Sequence, residues 1–236
     1  MPDKEKHRSM VALVPMRHHS VRVPGKNYRD LAGKPLYAYI LGELLKLPEI
    51  SEIVVDTDSP IISDGVRDSF PSVRIIDRPG HLREDTIPMN EILLHDTEVV
   101  PAKYYLQTHS TNPLLRSETI RDAIKVFHEH YPERDSLFGV TRYQTRLWDA
   151  KGVPVNHDPD VLLRTQDLPP LFEENSCIYI FERETFVERK NRLGGSPMMF
   201  EIDPYEALDI DSEIDFTIVE CLLRKRIALG REKSYE

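Results

Sequence analysis

The chain has 236 residues, enough for one well-packed α/β core with a small lobe attached, and too few for two large independent domains. With 40 % apolar and 30 % charged residues it has the balance of an ordinary folded protein, which excludes wholesale disorder. Its net charge of −9 argues against a broad nucleic-acid footprint but leaves room for a local cationic site that binds a small anion.

Short β-type runs alternate with helical stretches along the chain, the rhythm of a layered α/β fold. Residues 10–16 read as the first strand, and their polar, irregular continuation to Asn27 reads as an active-site loop. Pro35 suits the first turn of the next helix, where its missing amide hydrogen costs little, and Leu36, Ile40, Leu44 and Leu47 supply an apolar stripe. Residues 53–55 and 73–76 are strand candidates that run into Asp56-Thr57-Asp58 and Asp77-Arg78-Pro79. Polar groups in these positions sit at the carboxyl edge of an open sheet, where α/β ligand sites form. Residues 88–94 begin another helix, residues 104–106 supply a core strand, and Ile120, Ile124 and Phe127 mark a helix after Ser117-Glu118.

Residues 137–140 resume the sheet. Residues 142–174 are irregular and punctuated by Pro154, Pro159, Pro169 and Pro170, yet Val161, Leu162, Leu163, Leu171 and Phe172 give them something to bury. They are expected to form a small lobe or dimerisation arm within a single domain spanning residues 1–236. Residues 176–181 return to strand character, with Cys177 read as a buried thiol. The final helix carries Phe216, Val219, Leu222 and Leu223 on one face, behind a Ser212/Asp215 capping pair. Cys177 and Cys221 lack the clustered spacing of a zinc site, and their scarcity fits a reducing compartment. No run approaches the ~20 apolar residues of a membrane span, and the charged start at residues 1–8 is followed by no signal-peptide pattern, so a cytoplasmic location is expected.

Two segments carry candidate chemistry. The loop from Arg17 to Asn27 gathers Arg17, Arg22 and Lys26 after a strand, enough fixed charge to neutralise a polyphosphate. It lacks the Gly-x4-Gly-Lys-Ser/Thr pattern, so an ATPase mechanism does not follow, and on charge alone it reads equally well as a solvated face. In Asp209-Ile210-Asp211 an extended backbone turns both carboxylates to one side and Ile210 to the other, a pairing that suits a hard cation such as magnesium. The competing reading is a solvated acidic turn. A looser set, Arg78, Gln107, Arg164, Gln166 and Asn175, supplies donors for a base edge or a sugar carboxylate; individually these are ordinary loop residues.

Several ordered segments resemble the acylneuraminate cytidylyltransferase family: residues 14–17, Pro24-Gly25-Lys26-Asn27, residues 31–36, Val55-Asp56-Thr57-Asp58, Asp77-Arg78-Pro79, Leu106-Gln107, Asn112-Pro113-Leu114-Leu115-Arg116, Asn175 before Ile178-Tyr179-Ile180, and residues 209–216. The resemblance spans nearly the whole chain. It implies a compact α/β nucleotidyltransferase with an open, mostly parallel sheet, flanking helices and a small dimerisation subdomain, working as a homodimer. It further implies CMP transfer from CTP to an acidic sugar, with Mg2+, or Mn2+ in its place, as the metal.

By the same resemblance Arg17 and Lys26 contact the triphosphate and Asp209 and Asp211 hold the metal, these four forming the catalytic set. Ser20, Arg22, Asn27 and Arg78 join the nucleotide side; Gln107, Arg164, Gln166 and Asn175 form the acceptor side. The chain departs from the family where Ala-Arg-x-Gly-Ser-Lys-Gly is replaced by residues 16–22, which puts Val21 at the lysine position beside Arg22 and bulky His18 and His19 in a permissive stretch. Thr108-His109-Ser110-Thr111 likewise replaces the usual segment after the glutamine. A sialic-type nonulosonic acid is the expected acceptor. The alternatives are 3-deoxy-octulosonic acid, a carboxylated or phosphonate acceptor, or a non-catalytic nucleotide-binding or assembly role.

Overall fold

The computed structural model describes residues 10–232. The charged start at residues 1–8 lies outside the described residues. In chain order the elements are β1 (Met10–Leu13), β2 (Asp30–Leu31), β3 (Lys34–Pro35), α1 (Tyr37–Leu44), β4 (Ile50–Thr57), α2 (Pro60–Ser69), β5 (Arg74–Asp77), α3 (Met89–Val99), β6 (Tyr104–Thr108) and α4 (Ser117–His130). They are followed by β7 (Ser136–Tyr143), β8 (Leu171–Glu182), α5 (Arg183–Arg189), β9 (Pro197–Glu201) and α6 (Glu213–Glu232).

Seven strands form one mixed, mostly parallel sheet in the order β5-β4-β1-β6-β8-β7-β9. The pairs β5/β4, β4/β1, β1/β6 and β7/β9 are parallel, and β8 runs antiparallel to both neighbours. The period-2 geometry of β1 divides the core. Met10, Ala12 and Val14 pack with the stripes of α1, α2 and α4, including Ile40, Ile62 and Ile124. Val11 and Leu13 pack on the other face with Leu93 of α3 and Phe186 of α5. A third apolar group joins Phe216, Val219 and Leu223 of α6 to Val23, Leu31, Leu36, Leu114 and Ile210, so α6 clamps the β1 loop and the Asp209–Asp211 segment together.

The strand order reverses at β1: the chain leaves it for β4 on one side and later returns to β6 on the other. A crevice opens at such a switch point, beyond the carboxyl ends of the strands.

One sequence-based expectation is corrected. Pro35 lies in the short β2/β3 hairpin and α1 starts at Tyr37, because the Pro35 segment is extended to pair with Asp30. Residues 142–174 form the distal end of the β7/β8 hairpin and its connecting loop, tied by Asn156 to the Thr145 and Pro169 carbonyls. Val161, Leu162, Leu163 and Phe172 are exposed there, Leu162 by 88 %, so the arm does not bury them within the protomer.

Candidate active site

A cleft of about 420 Å³ lies at the switch point, lined by the β1 loop, the ends of β5 and β6, and the Asp209–Asp211 segment. This volume falls within the range of small-ligand sites. The β1 loop is shaped by local chemistry. Gly25 has a left-handed φ of 66°, and a Cβ there would come within 2.9 Å of the Tyr28 ring, so a glycine is required for the turn. The Tyr28 ring stacks on His18, whose backbone amide donates to Asp58 at 2.7 Å and whose Nδ1 pairs with Ser59 at 2.7 Å. His18 thus acts as a pillar of the loop, while His19 lines the cleft. Buried Asn27 donates to the Arg17 carbonyl at 2.8 Å and accepts from Ser110 at 2.8 Å, which fastens the loop to the end of β6.

Arg17, Ser20, Arg22, Lys26, Asn27 and Arg78 line the cleft together with Asp209 and Asp211. Ile210 is fully buried and its amide donates to the Thr111 carbonyl at 3.0 Å, which holds the two flanking carboxylates at the cleft. Asp211 pairs with Arg22 at 2.8 Å and with Lys26 at 3.4 Å, and Lys26 also donates to the Ile210 carbonyl at 2.5 Å. Arg17 pairs with Asp85 across the opening. The Arg17 and Arg22 pairs are half exposed, so each is worth ~0–1 kcal/mol and its cation exchanges partners at little cost.

Asp209 is more constrained. Burial is the largest influence on its carboxyl and raises its pKa, an effect partly opposed by a hydrogen bond from Thr111 and reinforced by the charge of Asp211. Its Oδ1 is buried without a hydrogen-bond partner. An orphaned hard oxygen beside a second carboxylate fits a divalent cation that would complete its shell with phosphate oxygens and water. Among the described residues, no group of three or more His, Cys, Asp or Glu side chains forms a closed metal cage.

Arg78 reaches the cleft from a buried network. It is 1 % exposed, its Nε pairs with Asp56, and its Nη1 has no partner. Buried Asp96 lies close enough to Asp56 for the two carboxyls to influence each other's protonation, and neither Asp96 oxygen has a hydrogen-bond partner among the described residues. Burial, reinforced by the Asp56 charge, pushes the Asp96 pKa up to about 9. Sequence reading overlooked Asp96, although a carboxylate on the apolar stripe of α3 beside Ile92 and Leu93 was the available signal.

The expected acceptor residues are only partly brought together. Gln107 is fully buried behind the cleft, held by Arg192 and bonded to His109, which lines it. Asn175 bonds Thr141 and the Cys177 amide next to Ser176, a cleft residue. Arg164 pairs with Asp167 out on the arm, and Gln166 is exposed there; neither lines the cleft. Arg192 gave no signal in the sequence, since it lies in a turn 85 residues from the glutamine it holds.

Residues 11–232 match the family model described as Cytidylyltransferase, and the chain belongs to that family. It is 29 % identical over 235 residues to CMP-N,N'-diacetyllegionaminic acid synthase of Legionella pneumophila, covering 91 % of this chain and 96 % of that one. It is 26 % identical to post-translational flagellin modification protein B of Campylobacter coli, covering 89 % and 93 %. N-acylneuraminate cytidylyltransferase A of Danio rerio is 24 % identical, with 98 % of this chain matching 55 % of that one. Among solved structures, CMP:2-keto-3-deoxy-manno-octonic acid synthetase in complex with CTP superposes with a TM-score of 0.69 over 92 % of this chain and 99 % of that one, at 16 % identity, a likeness of fold. No helix among the described residues is long and apolar enough to cross a membrane.

Proposed function

We propose that this member of the cytidylyltransferase family transfers CMP from CTP to an acidic sugar, a sialic-type nonulosonic acid, and releases pyrophosphate. The observation that carries the reading is the meeting of Arg17, Arg22 and Lys26 with Asp209 and Asp211 in one cleft. Similarity along nearly the full length to the legionaminic acid synthase supports the acceptor class.

In this reading an acceptor hydroxyl oxygen, the anomeric one in sialic-type sugars, attacks the α-phosphorus of CTP. The bond from that phosphorus to the β-phosphate oxygen breaks, pyrophosphate leaves with the electron pair, and the hydroxyl proton passes to solvent. Arg17, Arg22 and Lys26 offset the charge gathering on the leaving group. Ser20, Asn27 and Arg78 complete the nucleotide side: Asn27 by holding the loop, Arg78 through its free Nη1. Asp209 and Asp211 would hold Mg2+, or Mn2+ in its place, which when bound supplies charge neutralisation and alignment of phosphate oxygens. No protein nucleophile is required, since positioning and charge carry the step.

Gln107 and Asn175 serve the acceptor side through the neighbours they hold. Arg164 and Gln166 contribute only if a second protomer brings its arm over the cleft. We assign the exposed apolar residues of the arm to such a homodimer, in which residues 1–236 act as one cytoplasmic nucleotidyltransferase domain; a solution mass of one chain would refute the pairing. The catalytic reading is tested by following pyrophosphate release from each nucleoside triphosphate, with Mg2+ or Mn2+, against N-acetylneuraminate, N,N'-diacetyllegionaminate and 3-deoxy-manno-octulosonate. CTP-specific release with a nonulosonic acid is expected. Preference for the octulosonate would move the acceptor class, and CTP binding without turnover on any acceptor would leave only a nucleotide-binding role.

A further inference from the structure

Behind the cleft, Arg192, Gln107 and His109 form a polar relay outside the phosphate cations and the carboxylate pair. Arg192 Nη1 donates to Gln107 Oε1 at 2.7 Å. A guanidinium has only donors, so this contact fixes which end of the amide faces it. The Gln107 Nε2 then donates to the Thr108 carbonyl at 3.2 Å and meets His109 Nε2 at 2.9 Å. An amide nitrogen has no lone pair to offer, so His109 Nε2 must be the acceptor and the ring proton must sit on Nδ1. The arrangement is rigid: the Arg192 guanidinium lies 3.5 Å from the centre of the Tyr179 ring, and the Tyr179 hydroxyl donates to Glu174.

His109 is therefore a neutral imidazole. Burial, together with the charges of Arg192 and Lys26, pulls its pKa down to about 3. With the Nε2 lone pair occupied, the ring is not placed to take a proton from a reacting hydroxyl. Its remaining polar atom is the Nδ1–H, which has no hydrogen-bond partner among the described residues, and the side chain lines the cleft beside Ser110, Thr111 and the Asp209–Asp211 pair.

We propose that His109, held in this tautomer by Gln107 and Arg192, selects the CMP acceptor by donating from Nδ1 to an uncharged oxygen of the sugar, a hydroxyl or an N-acyl carbonyl. The proposal rests on the cytidylyltransferase reading. A polyanion is met by the fixed cations of the β1 loop, whereas a neutral, rigid donor is matched to a neutral oxygen, and a site built to hydrogen-bond a substrate group discriminates strongly against analogues lacking it. Gln107 and Arg192 are positioning residues for this contact.

The test measures CTP-dependent pyrophosphate release with N-acetylneuraminate, N,N'-diacetyllegionaminate and 3-deoxy-manno-octulosonate for the wild type, His109→Ala and His109→Phe, the last keeping a ring without the N–H. Both variants are expected to raise the KM of the preferred acceptor about 10- to 100-fold, with the CTP KM changed less than about twofold. Nitrogen-15 NMR of the wild-type imidazole should report a neutral, Nδ1-protonated ring from pH 5 to 9, and Arg192→Met should introduce the other tautomer. An unchanged acceptor KM in both variants, an equal rise in the CTP KM, or an Nε2-protonated wild-type ring would overturn the assignment of His109 alone. Absence of wild-type turnover on every acceptor would overturn the cytidylyltransferase reading and the acceptor role with it, even with the tautomer as stated.

Discussion

The β1 loop and the strand ends beside it are built on opposite principles. On the β1 loop, the Arg17 and Arg22 side chains are 43 % and 68 % exposed and rest on the carboxylates of Asp85 and Asp211. At the strand ends on either side of β1, Arg78 pairs with Asp56 in a fully buried network and Arg192 holds Gln107 and through it His109 in a largely buried one. Exposed ion pairs add little stability and let go easily, which leaves these cations free to exchange partners. Buried polar networks are costly to break, and they hold donors at fixed positions where discrimination is required. The loop supplies charge and the strand ends supply geometry.

The comparison is broken most directly at Arg78. Arg78→Met removes the counter-charge of buried Asp56 and should cost about 3–5 kcal/mol of stability near neutral pH, measured by urea unfolding; a loss below about 1 kcal/mol would place Arg78 with the exposed pairs. The opposite pattern is expected at Asp211. Asp211→Asn should lower kcat/KM at least about 100-fold, by loss of a charged group where phosphate charge is managed, while stability changes by no more than about 1 kcal/mol, because the side chain is 44 % exposed and its pairs are screened. Turnover close to wild type at saturating magnesium would remove Asp211 from the mechanism.

A third test concerns the proton on Asp96. Asp96 has an ordinary pKa near 3.8 when unfolded and about 9 in the folded protein, so between these values the folded state holds a proton that the unfolded state has released. Its contribution is fully present below the lower value and is lost as pH rises toward 9, with a slope of at most about 1.4 kcal/mol per pH unit. Asp96→Asn, which cannot ionise, should flatten the stability profile between pH 5.5 and 8.5; an unchanged slope would mean that Asp96 is charged in the folded protein.

Much of the layered fold was legible because its signals are local. Leu36, Ile40, Leu44 and Leu47 recur at helical spacing and are all buried, and Val55 and Ile76 end apolar runs directly before polar segments, of which Arg78 lines the cleft. The Ser212/Asp215 pair reciprocates as read, Ser212 donating to Asp215 at 2.7 Å at the start of α6. The reading failed where pairing partners are distant. β9 aligns beside β7 and leaves only a weak alternation of Met198 and Phe200, and Pro35 was drawn into a two-residue hairpin by Asp30. What covers the arm was not legible because apolar residues disclose a need for burial without disclosing their partner.

By itself, the sequence determined the alternation of strands and helices, the cation-rich loop after β1, and the Asp209-Ile210-Asp211 pattern that turns two carboxylates away from the core. Each follows from the period of a strand or helix, which neighbouring residues fix on their own. Only the tertiary structure decided that Asp96 would be buried close to Asp56 and that Arg192 would lock Gln107 and thereby the tautomer of His109. These properties arise from desolvation and from donors and acceptors meeting across tens of residues. No local pattern encodes which carboxyl will be buried against another, or which end of an amide will face a guanidinium.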